Sequence, residues 1–291
     1  WLANGIIKNK TASDNTFLPE VSIIISARNE EHNIRNLLES LISQTYKSNY
    51  EIIIANDRST DNTSKIISEY SKQFKFIKLI DIVETPIGWG YKKWALNNCI
   101  EKTKNDIILQ TDADCIPKSG WVKSMVSKFS DPSVVFVSGP APLTDEKNSF
   151  NDYYKLDSLA QDALSAGGMT QNMIFSCTGR NMGFLKKSFY EIDGYSTIES
   201  YISGDDDLLL QKFASLLNGK IIFNFNSESI IESPPPNSIN SFLNQRIRYA
   251  SKGFDYYKLN TSNEFKILLP FLYISNVICL ISLLGFIKYP N

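Results

Sequence analysis

The chain is poor in the residues that many catalytic mechanisms require. It has 291 residues but a single histidine, His32. That histidine precedes Asn33 at the predicted start of an amphipathic helix, a position typical of a surface side chain. The sequence therefore gives almost no support for a Ser-His-Asp or Cys-His catalytic mechanism.

Cysteine is also scarce, and its spacing excludes two kinds of small, cross-linked domain. The four cysteines form no Cys-x-x-Cys pair and lie mostly inside apolar runs: Cys99, Cys115, Cys177 and Cys279. This spacing argues against a disulfide framework and against a zinc site. We expect a reducing compartment.

Neither sign of charge is in excess. Thirty lysines and arginines nearly balance 31 aspartates and glutamates, so no overall field attracts nucleic acid, and no nucleic-acid-binding motif is present. The hydrophobic share of 43% suits one large or two small domains with an ample core. The chain begins with Trp1 rather than methionine, and we expect a fragment or a processed product.

The first half alternates short apolar runs with amphipathic segments. After the first run, Ile34, Leu37, Leu38 and Leu41 recur at helical spacing. Strands this apolar, covered by helices, predict an α/β fold with a mostly parallel, Rossmann-like sheet. The predicted strands of this half are residues 21–26, 50–57, 75–81, 106–111 and 134–139.

The second half is less regular. It offers a helix near 150–165, a Gly-rich "SAGGMT", a strand-like "MIFSCTGRNMGFLKK", and a helix after "GDDD" that leads to the strand "KIIFNF". The "SPPP" at 233–236 is the best candidate linker, because three prolines cannot extend a helix or a central strand.

The C-terminal region predicts membrane attachment. Residues 267–287 are 21 consecutive uncharged positions between Lys266 and Lys288, a helix of about 31 Å that matches a bilayer core. We predict a transmembrane or interfacial helix over 266–288, with a buried core helix as the alternative. Basic residues favour the cytoplasmic side of a membrane, and four of them precede this segment: Arg246, Arg248, Lys252 and Lys258.

Acidic residues follow three of the predicted strands. Glu30 comes after the first, Asp57 ends the second, and Asp112 and Asp114 end the fourth. Each alone could be a turn residue or a helix cap, but ligands of parallel sheets bind outside the carboxyl ends of the strands. Asp112 and Asp114 are alternate residues and can face one ligand, and such oxygen ligands suit Mg²⁺ or Mn²⁺ shared with substrate phosphates.

Two further groups permit more than one interpretation. The run Asp205-Asp206-Asp207 could cap a helix and interact favourably with the helix dipole. Alternatively, the crowded carboxylates could raise one another's pKa, which suits a general base. Lys92, Lys93 and Arg248 could contact phosphates, or could be solvated residues or bind lipid headgroups.

Seven segments, in order, resemble the motifs of GT-A fold family 2 glycosyltransferases, the group that includes cellulose, chitin and hyaluronan synthases. The resemblance spans residues 21 to about 255 and implies inverting transfer from a nucleotide diphosphate sugar, most often a UDP-sugar. The implied acceptor is a hydroxyl of a lipid-linked or polysaccharide molecule at the membrane, as in cell-envelope biosynthesis. The segments are VSIIISARNEEHNI, YEIIIANDRSTDNT, KKWALN, DIILQTDADC, SCTGRNMGFLKK, GDDDLLL and QRIRY.

The resemblance also implies residue roles on the donor side. Asp57 matches the acid that contacts the nucleobase, and Ala27, Arg28 and Glu30 line the same pocket. Lys92 matches the lysine of the GK-x-x-AL pattern and is counted among the donor contacts.

The metal and acceptor sides carry over in the same way. Asp112 and Asp114 match the DXD pair, with Asp114 as the metal ligand and Asp112 shared between metal and nucleotide. Asp206 matches the catalytic base, since Asp205-Asp206 stands where many members have Glu-Asp. The QxxRW motif is matched by Gln245 and Tyr249, which would face the acceptor, and by Arg248, which would meet the diphosphate.

Three positions depart from the family pattern. The usual Pro-Ala-Tyr after the first strand reads Ser26-Ala27-Arg28, which removes an aromatic that stacks on the base. Asp-Asp-Gly-Ser reads Asn56-Asp57-Arg58-Ser59, which loses one acid and a flexible glycine. Tyr249 replaces tryptophan.

Two other functions remain open at this point. A nucleotidyltransferase would use the same acids but does not require the later "GDDD" and "QRIRY" segments. An inactive protein that binds a nucleotide sugar is the other, because of the altered "ANDRS".

The predicted division of the chain follows from these motifs. Residues 1–20 form an N-terminal lead, and 21–232 form the catalytic domain. Its nucleotide-binding half is about 21–140 and its acceptor half about 141–232. A linker and basic helix follow over 233–260, and then the membrane helix.

Overall fold

The computed structural model describes residues 16–145 and 150–251 continuously. Later residues are described in short pieces: 255–258, 261, 263, 266–271, 273–275 and 278. The predicted lead at 1–20 and the predicted helix at 266–288 therefore lie largely outside the described residues. Within the described part of the chain, no helix combines the length and hydropathy needed to cross a bilayer.

Nine strands form two sheets in the described chain. The larger sheet has seven strands in the order β3-β2-β1-β4-β7-β6-β8, and β5 pairs with β9 in the smaller one. The strands are β1 (Val21–Ala27), β2 (Tyr50–Asp57), β3 (Ile77–Ile82), β4 (Ile107–Gln110), β5 (Ile116–Pro117), β6 (Val134–Ser138), β7 (Met182–Leu185), β8 (Lys220–Phe223) and β9 (Ile231–Glu232).

The large sheet is mostly parallel, as predicted. Strand β1 pairs in parallel with β2 and β4, β2 with β3, and β6 with β8. Strand β7 is the exception within the described sheet, because it runs antiparallel to both β4 and β6. The carboxyl ends of β1, β2 and β4 thus share one edge.

Helices pack on both faces of the sheet. The predicted helical spacing is confirmed in the first helix, where Ile34, Leu37, Leu38 and Leu41 are buried. Alternate residues of β1 enter two different core clusters, with Ile24 on one face and Ile23 on the other. The helices are α1 (Ile34–Ile42), α2 (Thr63–Gln73), α3 (Tyr91–Lys102), α4 (Trp121–Val126), α5 (Asn151–Thr170), α6 (Lys186–Glu191), α7 (Asp207–Leu216) and α8 (Ile239–Ala250).

Two segments differ from the sequence-based expectation. "SAGGMT" is the last part of α5 rather than a separate stretch. A Cβ at Gly168 would lie 2.4 Å from the Met173 carbonyl oxygen, so glycine permits a close approach there. Only Met182–Leu185 of "MIFSCTGRNMGFLKK" is a strand, and the residues before it form a loop.

The candidate linker at 233–236 is attached to the sheet region at its first residue. The Ser233 carbonyl accepts a hydrogen bond from the Thr144 amide at 2.9 Å. The Ser233 hydroxyl accepts one from Arg180 Nη1 at 2.6 Å. Whether this segment divides two domains stays a prediction.

Candidate active site

The acids singled out in the sequence converge at the carboxyl edge of the sheet. Ala27 pairs with Asn56 at the ends of β1 and β2, so Asp57 follows immediately beside Arg28. Gln110 ends β4 opposite Ile24, and Asp112 and Asp114 follow it. Parallel topology therefore collects these side chains on one side of the molecule.

Asp112 and Asp114 lie on a turn, not on an extended strand. Strand β4 ends at Gln110, and the Cys115 amide donates to the Asp112 carbonyl at 3.3 Å. The alternation expected of a strand persists nonetheless, because Ala113 is buried while both aspartates are half-buried. The two carboxylates can therefore still face one ligand.

Lys92 links this pair of acids to the acidic run before α7. Its Nζ atom lies 2.8 Å from Asp112 Oδ1 and 2.9 Å from Asp205 Oδ2. Burial alone would lower the pKa of Lys92, but the charges of Asp112 and Asp205 raise that pKa well above its usual value. The lysine is therefore charged at neutral pH and joins two acids that lie far apart in sequence.

Carboxylates crowd this edge enough to perturb one another. Burial raises the pKa of Asp112; Lys92 opposes the shift, and Asp114 and Asp205 add to it. Burial likewise raises the pKa of Glu30, where a hydrogen bond from Asn33 opposes the shift and the charges of Asp114 and Asp112 add to it. The edge thus carries negative charge that a bound cation would offset.

The donor set fits a divalent cation that keeps most of its water. No group of three His, Cys, Asp or Glu side chains is arranged as a metal cage among the residues described. Mg²⁺ is commonly bound by one or two carboxylates, here Asp112 and Asp114, with waters and substrate phosphates completing its coordination shell. Asp112 also pairs with Lys92, so a cation there would share that carboxylate with the lysine.

Asp206 is both the cap of a helix and a member of this cluster. Its Oδ1 accepts the Asp207 amide at 2.7 Å, and its Oδ2 accepts the Gly179 amide at 2.9 Å. Asp205 is buried and contacts Lys92, while Asp207 accepts hydrogen bonds from the Leu208 amide at 2.9 Å and from the Tyr256 hydroxyl. Helix capping is confirmed, and it holds the Asp206 carboxylate in one orientation.

The residues assigned to the nucleobase lie at the neighbouring strand ends. Ala27 is buried and Arg28 is exposed. Asp57 is 3% exposed, and its Oδ1 lies 2.8 Å from Arg58 Nε. Asp57 is therefore already paired with the arginine that replaces the glycine of the family pattern.

The three assigned residues of helix α8 differ in their contacts. Gln245 Oε1 accepts a hydrogen bond from Arg246 at 3.4 Å, and the Arg248 carbonyl accepts one from the Ser203 hydroxyl at 3.2 Å. Tyr249 is 44% exposed. Burial raises the pKa of Tyr249, and the charge of Asp206 adds to the shift, which puts the phenol within the field of the cluster.

Two residues of the site carried no predicted role. Gln110 Nε2 lies 3.4 Å from Asp205 Oδ2, beneath the acids. Arg180 donates to Ser233 and, at 3.1 Å, to Thr178 Oγ1, and its charge opposes the pKa shift of Tyr249. The available signal for Arg180 was its position as the single charge in "MIFSCTGRNMGFL".

Comparison with known proteins decides the family. The profile described as glycosyl transferase family 2 matches residues 22–193. The chain belongs to glycosyl transferase family 2. Membership is consistent with the resemblance that the motifs indicated, although the match does not distinguish the QxxRW-type synthases within the family.

Curated relatives of the chain include enzymes and probable enzymes of several organisms. "Probable glycosyltransferase YdaM" of Bacillus subtilis is 38% identical over 110 residues, covering 38% of this chain and 26% of that protein. "Beta-monoglucosyldiacylglycerol synthase" of Synechocystis sp. is 24% identical over 245 residues, covering 82% of this chain and 49% of that protein. The chain thus spans less than half the length of either relative.

Solved structures show the fold of this family 2 chain. The mannosyltransferase PcManGT of Pyrobaculum calidifontis, in complex with GDP-Man and Mn²⁺, matches with a TM-score of 0.68 at 20% identity over 92% of this chain and 74% of that one. TarS 1-349 of S. aureus, in complex with UDP-GlcNAc, matches with a TM-score of 0.56 at 17% identity over 77% of this chain and 60% of that one. These likenesses confirm an α/β, GT-A-like fold.

Proposed function

We propose that this chain is an inverting, metal-dependent glycosyltransferase. It would move a sugar from a nucleotide diphosphate sugar, with a UDP-sugar as the first candidate, to a hydroxyl of a lipid-linked or polysaccharide acceptor. The observation that carries the proposal is the position of Lys92, 2.8 Å from Asp112 and 2.9 Å from Asp205. That contact joins the proposed donor side to the proposed acceptor side in one cluster.

The donor is proposed to lie along the carboxyl edge of the sheet. Its base would occupy the strand ends that carry Ala27, Arg28, Glu30 and Asp57. Its diphosphate would lie toward Lys92 and Arg248, since a lysine binds phosphate as a point charge and an arginine as a fork of donors.

The metal site is proposed at Asp112 and Asp114, with Mg²⁺ or Mn²⁺ as the ion. When bound, such an ion neutralises charge on the departing diphosphate. The likeness to a mannosyltransferase solved with Mn²⁺ supports this choice of ion, as does the crowding of carboxylates that raises the pKa of Asp112.

Asp206 is proposed as the general base. The acceptor oxygen would form a bond to the anomeric carbon while the bond from that carbon to the diphosphate oxygen breaks. The hydroxyl proton would pass to the Asp206 carboxylate, which the Gly179 and Asp207 amides hold in place. Attack from the face opposite the leaving group inverts the anomeric centre. Gln245 and Tyr249 would position the acceptor.

The acceptor is proposed to be presented by a membrane on its cytoplasmic side. The described residues of the C-terminal region expose apolar side chains, with Ile267 at 74%, Phe271 at 67% and Tyr273 at 73%. Arg248, Lys258 and Lys266 lie nearby in the sequence and would suit anionic headgroups. A relative named for glucolipid synthesis supports the same type of acceptor.

A donor screen tests the class of reaction. Detergent-solubilised protein is incubated with UDP-, GDP- and dTDP-sugars, with and without Mn²⁺ or Mg²⁺, and released nucleoside diphosphate and pyrophosphate are measured separately. We expect metal-dependent release of nucleoside diphosphate from one donor, and its loss in Asp114→Ala.

Asp131→Asn is the matched control for that loss. Asp131 pairs with Lys220 at 2.8 Å just before the start of β6, at the opposite edge of the sheet, and the variant should keep full activity. Release of pyrophosphate would instead identify a nucleotidyltransferase. Binding of UDP without turnover of any donor would identify a binding protein.

A further inference from the structure

Two arginines contact one tyrosine ring at the proposed base site. Arg58 Cζ lies 4.2 Å from the centroid of the Tyr91 ring, and Arg28 Cζ lies 5.7 Å from it. Tyr91 begins α3 and is 52% exposed. Two of the three departures from the family pattern therefore meet at Tyr91, which supplies an aromatic ring where the pattern's own aromatic is missing.

Arg58 is held against this ring by Asp57. The Arg58 Nε and Nη2 atoms lie 2.8 Å and 2.7 Å from Asp57 Oδ1. The Nη2 contact is an ion pair whose N–H groups are not aligned for a hydrogen bond, so this buried nitrogen keeps donor capacity. The backbone of Arg58 has φ +54°, a conformation that favours glycine, and the side-chain contacts offset that strain.

The turns that carry Arg28 and Arg58 are fastened to each other. The Asn29 amide donates to Ser59 Oγ at 3.0 Å, and the Thr60 amide donates to Asn29 Oδ1 at 2.8 Å. Lys92, the next residue after Tyr91, reaches Asp112 in the catalytic cluster. The three-residue group is therefore both fixed and adjacent to the proposed diphosphate position.

We propose that Arg58, backed by Tyr91 and Asp57, contacts the nucleobase of the donor and selects bases with a carbonyl oxygen at C4 of a pyrimidine or C6 of a purine. The inference rests on the proposed function and names the substrate class of its base site. Asp57 is 3% exposed and is paired with Arg58, so the guanidinium is the polar group that meets an arriving base.

The chemistry of the guanidinium sets the preference. Arginine offers donors only, and its planar group can also stack on a base. Uracil, thymine and guanine present carbonyl oxygens that accept from it, as in the arginine contact to guanine O6 and N7. At the matching positions cytosine and adenine carry amino groups, N4 and N6, which are donors like the guanidinium and cannot accept from it. Arg58 thus favours UDP, dTDP or GDP donors over ADP and CDP donors.

Binding measurements on the full chain test this assignment. Calorimetry with fixed Mg²⁺ would compare UDP, GDP, CDP and ADP with inorganic pyrophosphate, which has no base. Arg58→Gly removes the guanidinium and suits the positive φ, so folding is preserved. Arg35→Ala is the matched control, because Arg35 Cζ lies 5.6 Å from the Tyr70 ring in a similar contact between α1 and α2.

We expect wild type to bind UDP or GDP more tightly than CDP and ADP. Arg58→Gly should weaken the preferred nucleotide about tenfold, which corresponds to about 1.4 kcal/mol, and should leave pyrophosphate binding unchanged. Tyr91→Ala should weaken the same nucleotide, and Arg35→Ala should change nothing.

Three outcomes would overturn the assignment. If Arg58→Gly binds nucleotides with wild-type affinity, Arg58 does not contact the base. An equal loss of pyrophosphate affinity would place it on the diphosphate instead. Both results leave the proposed glycosyl transfer intact, whereas a wild-type chain that binds no nucleotide would overturn the base site and the proposed function together.

Discussion

The backbone amide of Gly179 donates a hydrogen bond to Asp206 Oδ2 at 2.9 Å. This contact fastens the loop before β7 to the cap of α7, and it orients the carboxylate proposed as the general base. A Cβ at position 179 would lie 3.1 Å from Asp205 Oδ2 and 3.3 Å from Gln110 Nε2. The geometry of the site therefore requires glycine at position 179 as well as the acids.

Gly179→Ala should lower turnover more than it lowers stability. The added methyl group presses on Asp205 and shifts the neighbouring Asp206, whose misplacement costs rate because a general base must lie within hydrogen-bond reach of its proton. We expect kcat to fall about tenfold or more, with nucleoside diphosphate affinity close to wild type. An unchanged kcat would show that the Gly179 contact does not position the base.

Lys92→Met should lower the free energy of unfolding by about 1–3 kcal/mol at pH 7. This loss is smaller than that expected for a fully buried ion pair, because the Lys92 side chain is 34% exposed. The raised pKa of Lys92 means that its contribution is fully present below the unfolded-state pKa and is lost only as the pH rises through the folded-state pKa. The deficit should therefore be full at neutral pH. It should shrink at acid pH as Asp112, whose pKa burial raises, takes up a proton.

Urea unfolding at several pH values measures this deficit, with Lys220→Met as the control. Lys220 also forms a pair at 2.8 Å, with Asp131, but the two side chains are 62% and 46% exposed. Salt and water screen that pair, so its loss should leave stability nearly unchanged. Equal effects of the two substitutions would contradict a special role for Lys92.

Asp162 should give the fold a second, separable dependence on pH. Burial raises the pKa of Asp162, although the Ala141 amide and the Arg180 charge oppose the shift. A carboxyl group with a raised folded-state pKa destabilises the fold above that pKa, and the fold gains stability as the pH falls through it toward the unfolded-state value. Asp162→Asn keeps an acceptor for the amide and should remove this gain. An unaltered pH dependence of unfolding would rule out the assignment.

The strands could be predicted from sequence because each is a continuous apolar run. Residues 21–26 and 50–57 became β1 and β2 almost without change. The antiparallel direction of β7 could not be predicted, because a strand of four residues that includes a glycine carries no sequence pattern that distinguishes parallel from antiparallel pairing. The end of α5 was missed because glycines weaken the helical pattern, although close packing at Gly168 requires one.

The sequence could predict which acids belong to the candidate site, but not which side chains they contact. Asp112 and Asp114 follow a strand, and parallel topology alone places them at the ligand edge. The contact of Lys92 with Asp205 depends on tertiary structure, because no local pattern relates residues so far apart in sequence. Arg58 was recognised as a departure, but its contact with Tyr91 required the folded chain.

Tyr249→Ala should weaken the acceptor and spare the donor. The ring lies 5.1 Å from Arg246 Cζ, and Arg246 pairs with Asp157 at 2.5 Å, so α5 and α8 hold the aromatic beside the cluster. We expect acceptor KM to rise while donor affinity stays constant, and Tyr249→Trp to restore the stacking face.

Tyr190→Ala provides the comparison for this loss, since Tyr190 is similarly exposed at 52% but lies on α6. A rise of donor Kd in Tyr249→Ala, with acceptor KM unchanged, would move the tyrosine to the donor side.

The most direct test of the central claim is the turnover of Asp206→Asn with the donor that wild type uses. Asparagine keeps an acceptor oxygen for one of the two amides but cannot take up the acceptor's proton. The account predicts that kcat falls about 100-fold or more, while donor affinity stays within about twofold and the unfolding temperature falls by only about 2–4 °C, because one amide loses its acceptor. A variant that folds, binds donor and turns over at the wild-type rate would show that Asp206 caps its helix and is not the base.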